Sequence, residues 1–279
     1  MSHPSVPAVA GDLVDLFVRA SLDAGAAILD VLAAGFSVSI KSDASPVTLA
    51  DQRAEAIVLA ALARDLPGVP VVAEEAHAAG HLPGALGRRF VLVDPLDGTR
   101  EFVAGNGDFT VNIGLVEDGR PVAGVVHAPM TGETFAGIVG VGAWRIGIGA
   151  DGCHPRRPIA AAAAGAAGLR VLSSRSHCDP ATEALIARLP VACRDTAGSS
   201  LKFCRLAEGR ADVYPRFGRT MEWDTAAGEA VLVAAGGTVV GLDGRPLVYG
   251  GGATATDFAN PPFLALGDPS SLGRVLAAL

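Results

Sequence analysis

The chain has few cysteines, the residues that form the disulfide bonds of small secreted domains and bind zinc in structural metal sites. Its 279 residues include only four cysteines, Cys153, Cys178, Cys193 and Cys204. No two of them stand at C-x-x-C spacing, and no histidine partners them at zinc-finger intervals. In a chain of this length the pattern excludes a disulfide framework and a zinc module, so we expect reduced thiols in a cytoplasmic protein.

The sequence also lacks a long apolar run and a secretory leader. No stretch of about 18 consecutive, strongly apolar residues occurs, and the first residues do not join a basic segment to an apolar one. We therefore expect neither a transmembrane segment nor secretion. A peripheral contact with the inner face of the cell membrane stays open, because a small surface patch is enough for it.

Positive charge is scarce as well. The 22 lysines and arginines are outnumbered by 29 acidic residues, which gives a formal net charge of -7. This balance argues against a surface that coats a nucleic-acid polymer, but a local cation or a metal could still hold a small anionic substrate. Half of the residues, 50%, are hydrophobic, which is enough for a substantial core.

Hydrophobic periodicity predicts helices and strands in both halves of the chain. Apolar residues recur at helical spacing over 13–34, and a second helix follows Thr48, which precedes Asp51 at capping-box spacing. Strands over 110–116 and 122–127 flank a turn-rich segment and predict a hairpin. Other predicted strands are 69–73, 90–93, 137–144 and 169–173; predicted helices are 180–189, 199–209, one from 224 and 269–279; a final hairpin joins 238–242 to 246–249.

An alanine- and glycine-rich tract at 158–168 indicates a connection between two halves. We place a domain boundary there, with an N-terminal α+β domain over 1–160 and a C-terminal α/β domain over 161–279. Because both halves mix strands and helices, the sequence predicts a layered fold of the α/β (α+β) class.

One apolar strand runs straight into two carboxylates, in the segment VLVDPLDGTREF at 91–102. A strand followed by a tight Asp-Gly turn is one explanation. A turn over Pro95 and Leu96 would also bring Asp94 and Asp97 to one side, with the Leu96 carbonyl between them. Two carboxylates and a carbonyl form a hard-oxygen cluster suited to magnesium, and the segment from 94 to 99 contains no lysine or arginine to neutralise them.

Other acids stand at comparable places. Glu74 and Glu75 end a short apolar strand, and Asp224 begins a helix. Each has an ordinary structural explanation. Asp224 is a favourable N-cap residue, Glu75 could simply be exposed to solvent, and Asp51 completes the capping box. The alternative is that Glu74, Asp94, Asp97 and Asp224 converge on two metals about 4 Å apart, as hydrolysis of a phosphate ester requires.

Three motifs stand in order along the chain: EE at 74–75, DPLDGT at 94–99 and WDTAAG at 223–228. With them the sequence resembles the inositol monophosphatase-like, magnesium-dependent, lithium-sensitive phosphatases. The resemblance implies an αβαβα sandwich of the inositol monophosphatase/sugar phosphatase type. Within that family the segments KSDASPVTLAD, GSSLKFCRLAEGRADVYPRFGRTMEWDTAAG and NPPFLALG resemble the CysQ-type 3'(2'),5'-bisphosphate nucleotidases. Those enzymes release the 3'-phosphate of adenosine 3',5'-bisphosphate to give AMP, and often act on 3'-phosphoadenylyl sulfate.

The resemblance implies a role for each acid. Glu74 would bind one metal and help to hold the attacking water, and Asp94 would bridge two metals. The Leu96 carbonyl would complete the first metal site, and Asp97 and Asp224 would bind the second metal. Two or three Mg²⁺ ions per active site are implied, of which the third would be a weaker one.

The resemblance also implies residues that act on the water and the substrate. The Thr99 hydroxyl, polarised by Asp51, would assist activation of the water, and the N–H groups of Gly98 and Thr99 would hold the phosphate. Ser199, Lys202, Arg216 and His177 would contact the nucleotide, and Lys41 lies in the loop that would support the third metal. We expect a small nucleotide bisphosphate as the partner, no nucleic-acid polymer, and a monomer or homodimer.

Rival functions stay open. The same chemistry could act on inositol monophosphate or fructose 1,6-bisphosphate, although GSSLK and YPRFG favour a nucleotide. A catalytically idle protein that senses the nucleotide is a different class, but a pure binder would not need the Thr99 and Asp51 pair beside four acids.

Overall fold

The computed structural model of the protein describes residues 6–40, 46–147, 154–174, 179–251 and 257–279. Lys41, Cys153, His177 and Cys178 fall outside these ranges, so the roles expected for them stay predictions. The two cysteines inside them, Cys193 and Cys204, are both free thiols, as expected.

Two long helices form the first layer. α1 (Val6–Ala34) and α2 (Leu49–Asp65) pack against each other and against one face of a seven-stranded sheet. The antiparallel strands β1 (Val38–Ile40) and β2 (Pro46–Thr48) lie between them in the chain. The predicted capping box is confirmed, because Asp51 Oδ2 accepts hydrogen bonds from Thr48 N at 2.7 Å and Thr48 Oγ1 at 2.8 Å.

The seven-stranded sheet is the second layer, in the order β3-β4-β5-β6-β7-β8-β9. β3 is parallel to β4, and the following pairs are antiparallel because turns or short connections join successive strands. The strands are β3 (Val71–Ala73), β4 (Arg89–Asp97), β5 (Thr110–Glu117), β6 (Arg120–Ala128), β7 (Glu133–Ile138), β8 (Gly142–Ile146) and β9 (Arg156–Ile159). Two short helices, α3 (Glu74–Ala78) and α4 (Thr99–Ala104), follow β3 and β4.

The remaining three layers come from the second half of the chain. α6 (Leu201–Ala207) and α7 (Glu222–Ala234) form the third layer, between the two sheets. The fourth is a five-stranded sheet in the order β11-β10-β12-β14-β13. Its strands are β10 (Leu169–Ser174), β11 (Val191–Ala197), β12 (Val213–Arg216), β13 (Thr238–Gly241) and β14 (Phe263–Leu266). α5 (Pro180–Ile186), a 3-10 helix (Pro269–Ser271) and α8 (Leu272–Leu276) form the outer layer.

Three separate apolar cores hold these layers together. Along β4 the side chains alternate, with Val91 and Val93 in the core under α1 and α2, and Phe90 and Leu92 in the core shared with α6 and α7. The third core lies between the second sheet and the outer helices, around Leu266. Helix, sheet, helix, sheet and helix thus stack in sequence, which confirms the predicted αβαβα sandwich. The two-domain division stays a prediction, because α7, from the second half, packs on the first sheet.

Several predicted elements differ in the structure. The strand predicted over 137–144 is wrong, since β7 ends at Ile138 and β8 begins at Gly142 after a turn. The final hairpin is also wrong, because β13 pairs with β14, and residues 246–249 contribute only an isolated bridge from Pro246 to Val240. β1, β2, β9, β11, β12 and β14 were not predicted. β11 is exposed along most of its length and β12 is buried throughout, so neither shows the alternation that marks a half-buried strand.

No helix in the described ranges combines the length and the apolar character needed to span a lipid bilayer.

Glycines on three neighbouring strands let α7 approach the first sheet. A Cβ atom placed on Gly124 of β6 would lie 2.5 Å from Ala227 O and 2.8 Å from Ala227 Cα. We expect Gly124→Ala to lower the free energy of unfolding by about 1–3 kcal/mol, because backbone atoms must move. Urea unfolding checks this. Gly11→Ala in α1 is the matched control, since a Cβ there meets no atom within 4 Å and alanine favours the helix; equal losses in both variants would contradict the packing argument.

A buried histidine in β6 predicts the pH dependence of stability. His127 is 4% exposed, its Nδ1 lies 2.9 Å from Thr134 Oγ1, and burial lowers its pKa to about 4. Between pH of about 6.5 and about 4 the unfolded chain therefore binds a proton that the folded protein does not. The contribution of His127 to the free energy of unfolding should be fully present above about pH 6.5. It should fall toward pH 4, by up to about 1.4 kcal/mol per pH unit.

Urea unfolding across this pH window measures the effect. His127→Gln keeps a polar side chain beside Thr134 but does not titrate, so its stability should fall less steeply than that of the wild type. The same slope in both proteins would show that His127 does not carry the effect.

Candidate active site

β4 ends in a bulge that carries two of the predicted acids. The turn predicted over positions 95–96 is wrong, because the strand continues through Pro95 to Asp97. The register with β5 shifts instead: Asp94 lies opposite Asn112, whereas Asp97 lies opposite Thr110. An extra residue therefore stands in β4, where a proline cannot donate to the sheet. The bulge, rather than a turn, places both carboxylates at this end of the sheet.

The chain turns one residue later, at Gly98. Its φ of +93° lies in the region that favours glycine, and a Cβ there would stand 3.2 Å from Asp108 O. α4 begins at the next residue, Thr99. The Thr99 hydroxyl lies 3.0 Å from Asp51 Oδ1 and 3.2 Å from the Leu96 carbonyl oxygen. The pair inferred from the sequence is therefore in contact, and Asp51 takes part in both the capping box and this hydrogen bond.

Glu74 lies at the start of α3, which α2 holds in place. The carboxylate of Glu55, which is 7% exposed, accepts hydrogen bonds from the main-chain N–H groups of Glu75 at 2.8 Å and Ala76 at 2.9 Å. Glu55 stands one helical turn after Asp51, so both acids lie on one face of α2. That face fixes the start of α3 as well as Thr99.

Asp224 lies in the first turn of α7 and is not its N-cap, because the helix begins at Glu222. Its Oδ2 accepts a hydrogen bond from Met221 N at 2.8 Å. The explanation of Asp224 as a simple N-cap is therefore wrong. As the third helical residue it caps the helix and also lines a cavity.

The predicted acids line one cavity of about 270 Å³. Its wall includes Glu74, Asp94, Asp97 and Asp224. Burial raises the pKa of Asp94 well above its usual value, and the charges of Glu74, Asp97 and Asp224 raise it further. Burial and the charge of Asp97 likewise raise the pKa of Asp224. The four carboxylates are thus close enough to repel one another, which is unfavourable without a compensating cation.

The donor atoms of this cluster fit a divalent cation. Carboxylates and the Leu96 carbonyl are hard oxygen ligands, and a cation would offset the repulsion between the acids. Within the described ranges, however, no three His, Cys, Asp or Glu side chains already form a metal site. Hydrogen bonds hold one oxygen of Asp97 and one of Asp224 against protein donors, so their other oxygens are the ones available as ligands.

Three basic residues from the second half line the same cavity, namely Lys202, Arg216 and Arg219. The Lys202 ammonium donates to the carbonyl oxygens of Ser199 and Ala197, and burial lowers its pKa to about 8. Arg216 donates from Nε and Nη2 to the main-chain oxygens of residues 218 and 219. Arg219 is exposed, and in the described part of the chain no acid pairs with its guanidinium. The wall can therefore attract a further anionic group.

Ser199 and Ser200 connect this wall to the acids. Ser199 Oγ lies 2.6 Å from Asp97 Oδ2, and the Ser200 N–H donates to the same oxygen at 2.8 Å. Of the predicted substrate contacts, Gly98, Thr99, Ser199, Lys202 and Arg216 line the cavity together. His177 lies outside the described residues, so its role stays a prediction.

Sequence reasoning missed four residues of this site: Glu55, Asn112, Ser200 and Arg219. Two of them carried a signal. Glu55 follows Asp51 by four positions on a helix, and Asn112 is a polar residue in an otherwise apolar strand. Ser200 differs from Ser199 only through its contacts, which no local pattern shows.

Comparison with known proteins identifies the family of this chain. The model of the inositol monophosphatase family matches residues 12–262. The 3'(2'),5'-bisphosphate nucleotidase CysQ of Escherichia coli (strain K12) is 40% identical over 253 residues, which cover 90% of this chain and 98% of that protein. The crystal structure of CysQ from Bacteroides thetaiotaomicron is 36% identical, with a TM-score of 0.73 over 91% of this chain and 97% of that one.

An IMPase structure from Thermotoga maritima has a higher TM-score, 0.76, but only 26% identity, and 96% of each chain is covered. The family to which these proteins are assigned is generally metal-dependent. Because the family model and the E. coli relative both cover most of the sequence, this chain belongs to the inositol monophosphatase family.

Proposed function

We propose that this protein hydrolyses the 3'-phosphate of adenosine 3',5'-bisphosphate, giving AMP and phosphate, and that it also acts on 3'-phosphoadenylyl sulfate. The observation that carries the proposal is one cavity whose wall includes the four predicted acids together with three basic residues from the second half of the chain. The acids suit metal-assisted hydrolysis of a phosphate ester, and the basic residues suit a second phosphate. The E. coli relative, which is named a 3'(2'),5'-bisphosphate nucleotidase, supports the choice of substrate.

Protein groups in the cavity can orient and deprotonate a water molecule. Asp51 Oδ1 accepts the hydroxyl hydrogen of Thr99, so the Thr99 oxygen can accept a hydrogen from the attacking water. The proton can then pass through Thr99 toward Asp51, whose other oxygen is fixed by Thr48. Glu74 would help to hold the water, and the N–H groups of Gly98 and Thr99 would orient the phosphate.

We infer two or three Mg²⁺ ions per active site. Glu74, Asp94 and the Leu96 carbonyl would hold one, and Asp94, Asp97 and Asp224 would hold another. Bound Mg²⁺ supplies positive charge that lowers the pKa of water and stabilises the leaving 3'-oxygen. Lys202, Arg216 and Ser199 would bind the nucleotide. The third ion, the expected cytoplasmic location and the state of monomer or homodimer stay predictions.

Phosphate release from adenosine 3',5'-bisphosphate, with Mg²⁺ and with a chelator, tests the proposal. We expect turnover with Mg²⁺ and none with the chelator. kcat/KM on inositol monophosphate and on fructose 1,6-bisphosphate should be lower, because neither places a nucleotide on the basic wall. A preference for inositol monophosphate, the substrate suggested by the likeness to the IMPase structure, would overturn the assignment.

A further inference from the structure

The loop between β11 and α6 is held by contacts on both sides. Gly198 N donates to Asp108 Oδ2 at 2.9 Å, and the Lys202 ammonium holds the carbonyl oxygens of Ala197 and Ser199. Ser199 has a φ of +55°, which is unfavourable for a residue with a Cβ atom. Such a conformation persists only where its surroundings fix it, and it often marks a functional position.

Hydrogen-bond donors of this loop contact one oxygen of Asp97. Asp97 Oδ2 is approached by Ser199 Oγ at 2.6 Å, Ser200 N at 2.8 Å and Asn112 Nδ2 at 3.3 Å. A carboxylate oxygen with three donors is saturated. The Asp97 oxygen that can bind a cation is therefore Oδ1, and its direction depends on these three donors.

The Ser200 hydroxyl has a single hydrogen to donate, and its distances show where that hydrogen goes. Ser200 Oγ lies 2.6 Å from the main-chain oxygen of Asp224 but 3.2 Å from Asp97 Oδ2. The shorter contact takes the hydrogen, while Asn112 Nδ2 donates to Ser200 Oγ at 3.0 Å. Ser200 thus bonds to Asp97 through its N–H and to Asp224 through its hydroxyl.

We propose that Ser200 is a positioning residue for a divalent cation, because it joins Asp97 of the first sheet to Asp224 of α7. These two acids come from parts of the chain more than a hundred residues apart, and Ser200 is 1% exposed between them. The inference rests on the proposed function, in which Asp97 and Asp224 share one metal. Ser200 does not line the cavity, and it acts by holding the Asp97 carboxylate against the main chain of Asp224, which fixes the separation of the two acids.

Ser200→Ala keeps the N–H bond to Asp97 and removes the hydroxyl bond to Asp224. We expect Mn²⁺ to bind the substrate-free variant roughly 10–100-fold more weakly than it binds the wild type, as measured by the electron paramagnetic resonance signal of unbound Mn²⁺. Ser200→Thr restores a hydroxyl and should recover most of the affinity. The metal dependence of kcat should shift in parallel with the Mn²⁺ affinity, while KM for the nucleotide changes less.

Ser21→Ala is the matched control, since Ser21 is also buried and its hydroxyl donates to a single main-chain oxygen, that of Val18. Ser21→Ala should bind Mn²⁺ like the wild type. If circular dichroism shows that Ser200→Ala does not fold, Ser200→Gly is used in its place. Unchanged Mn²⁺ affinity in the folded variant overturns the inference, even when the bisphosphate is hydrolysed. Wild type that binds Mn²⁺ but does not hydrolyse the bisphosphate overturns the proposed function and leaves the positioning role intact.

Discussion

Asp94→Asn is expected to abolish phosphate release while the protein stays folded. The side chain is 1% exposed, and its pKa is raised by burial and by Glu74, Asp97 and Asp224. Asparagine has the same shape and can still accept the hydrogen bond from Leu96 N, which lies 3.0 Å from Asp94 Oδ1. It removes the charge that we assign to two metals, so we expect kcat to fall by roughly 10³-fold or more, which is about 4 kcal/mol of transition-state stabilisation.

The melting temperature of Asp94→Asn should not fall together with its kcat. Because the other three acids repel Asp94, metal-free Asp94→Asn should melt at the same temperature as the wild type or higher. Asp212→Asn is the contrasting variant. Asp212 is a buried carboxylate outside the cavity, and it accepts hydrogen bonds from the Arg170 guanidinium at 2.6 Å and from the Arg170 main-chain N–H at 2.7 Å. It should lose stability, by roughly 1–3 kcal/mol, rather than kcat. Turnover retained in Asp94→Asn would exclude the metal assignment.

Local patterns were enough to predict the residues that sit in short motifs. Asp94, Asp97 and Thr99 lie within six consecutive positions, and the Thr48 and Asp51 pair lies within four. The contact between Thr48 and Asp51 is set by neighbouring main chain, so the sequence shows its spacing directly. The role given to Thr99 came from the resemblance to the family, because its contact with Asp51 joins distant segments. The layered fold was predictable for a similar reason, because long helices and hairpin strands carry strong periodicity.

The parts that were missed depend on contacts between distant segments. Whether positions 95–96 form a turn or a bulge is decided by the pairing of β4 with β5, and the strand extends to Asp97 because Asp97 lies opposite Thr110 in that pairing. Asn112 acquires its role from the same register. Ser200 acquires its role only when α7 lies beside the loop that precedes α6. The predicted final hairpin does not form because β13 pairs over a longer stretch with β14, a strand more distant in the sequence.

The hydrogen bond between Thr99 and Asp51 predicts a second large loss of activity. Thr99→Ala removes the hydroxyl that lies 3.0 Å from Asp51 Oδ1, and Asp51→Asn removes the proton acceptor. General-base assistance contributes roughly 10²–10⁴-fold, so each variant should lose kcat in this range. Thr99→Ser keeps the hydroxyl and should retain most of the rate, whereas an equal loss in the serine variant would mean that the methyl group, not the hydroxyl, matters.

The double variant shows whether the two residues act as one unit. If the proton passes from water through Thr99 to Asp51, removing either group breaks the same path, and Thr99→Ala combined with Asp51→Asn should be scarcely slower than each single variant. Losses that multiply would mean separate roles and would contradict the relay. Stability must be measured beside kcat, because Asp51→Asn also weakens the cap at Thr48 and should lower the free energy of unfolding by about 1 kcal/mol. Thr99→Ala leaves that cap in place. We therefore expect both variants to lose kcat but only Asp51→Asn to lose stability. This outcome separates the proton relay from the structural role of Asp51.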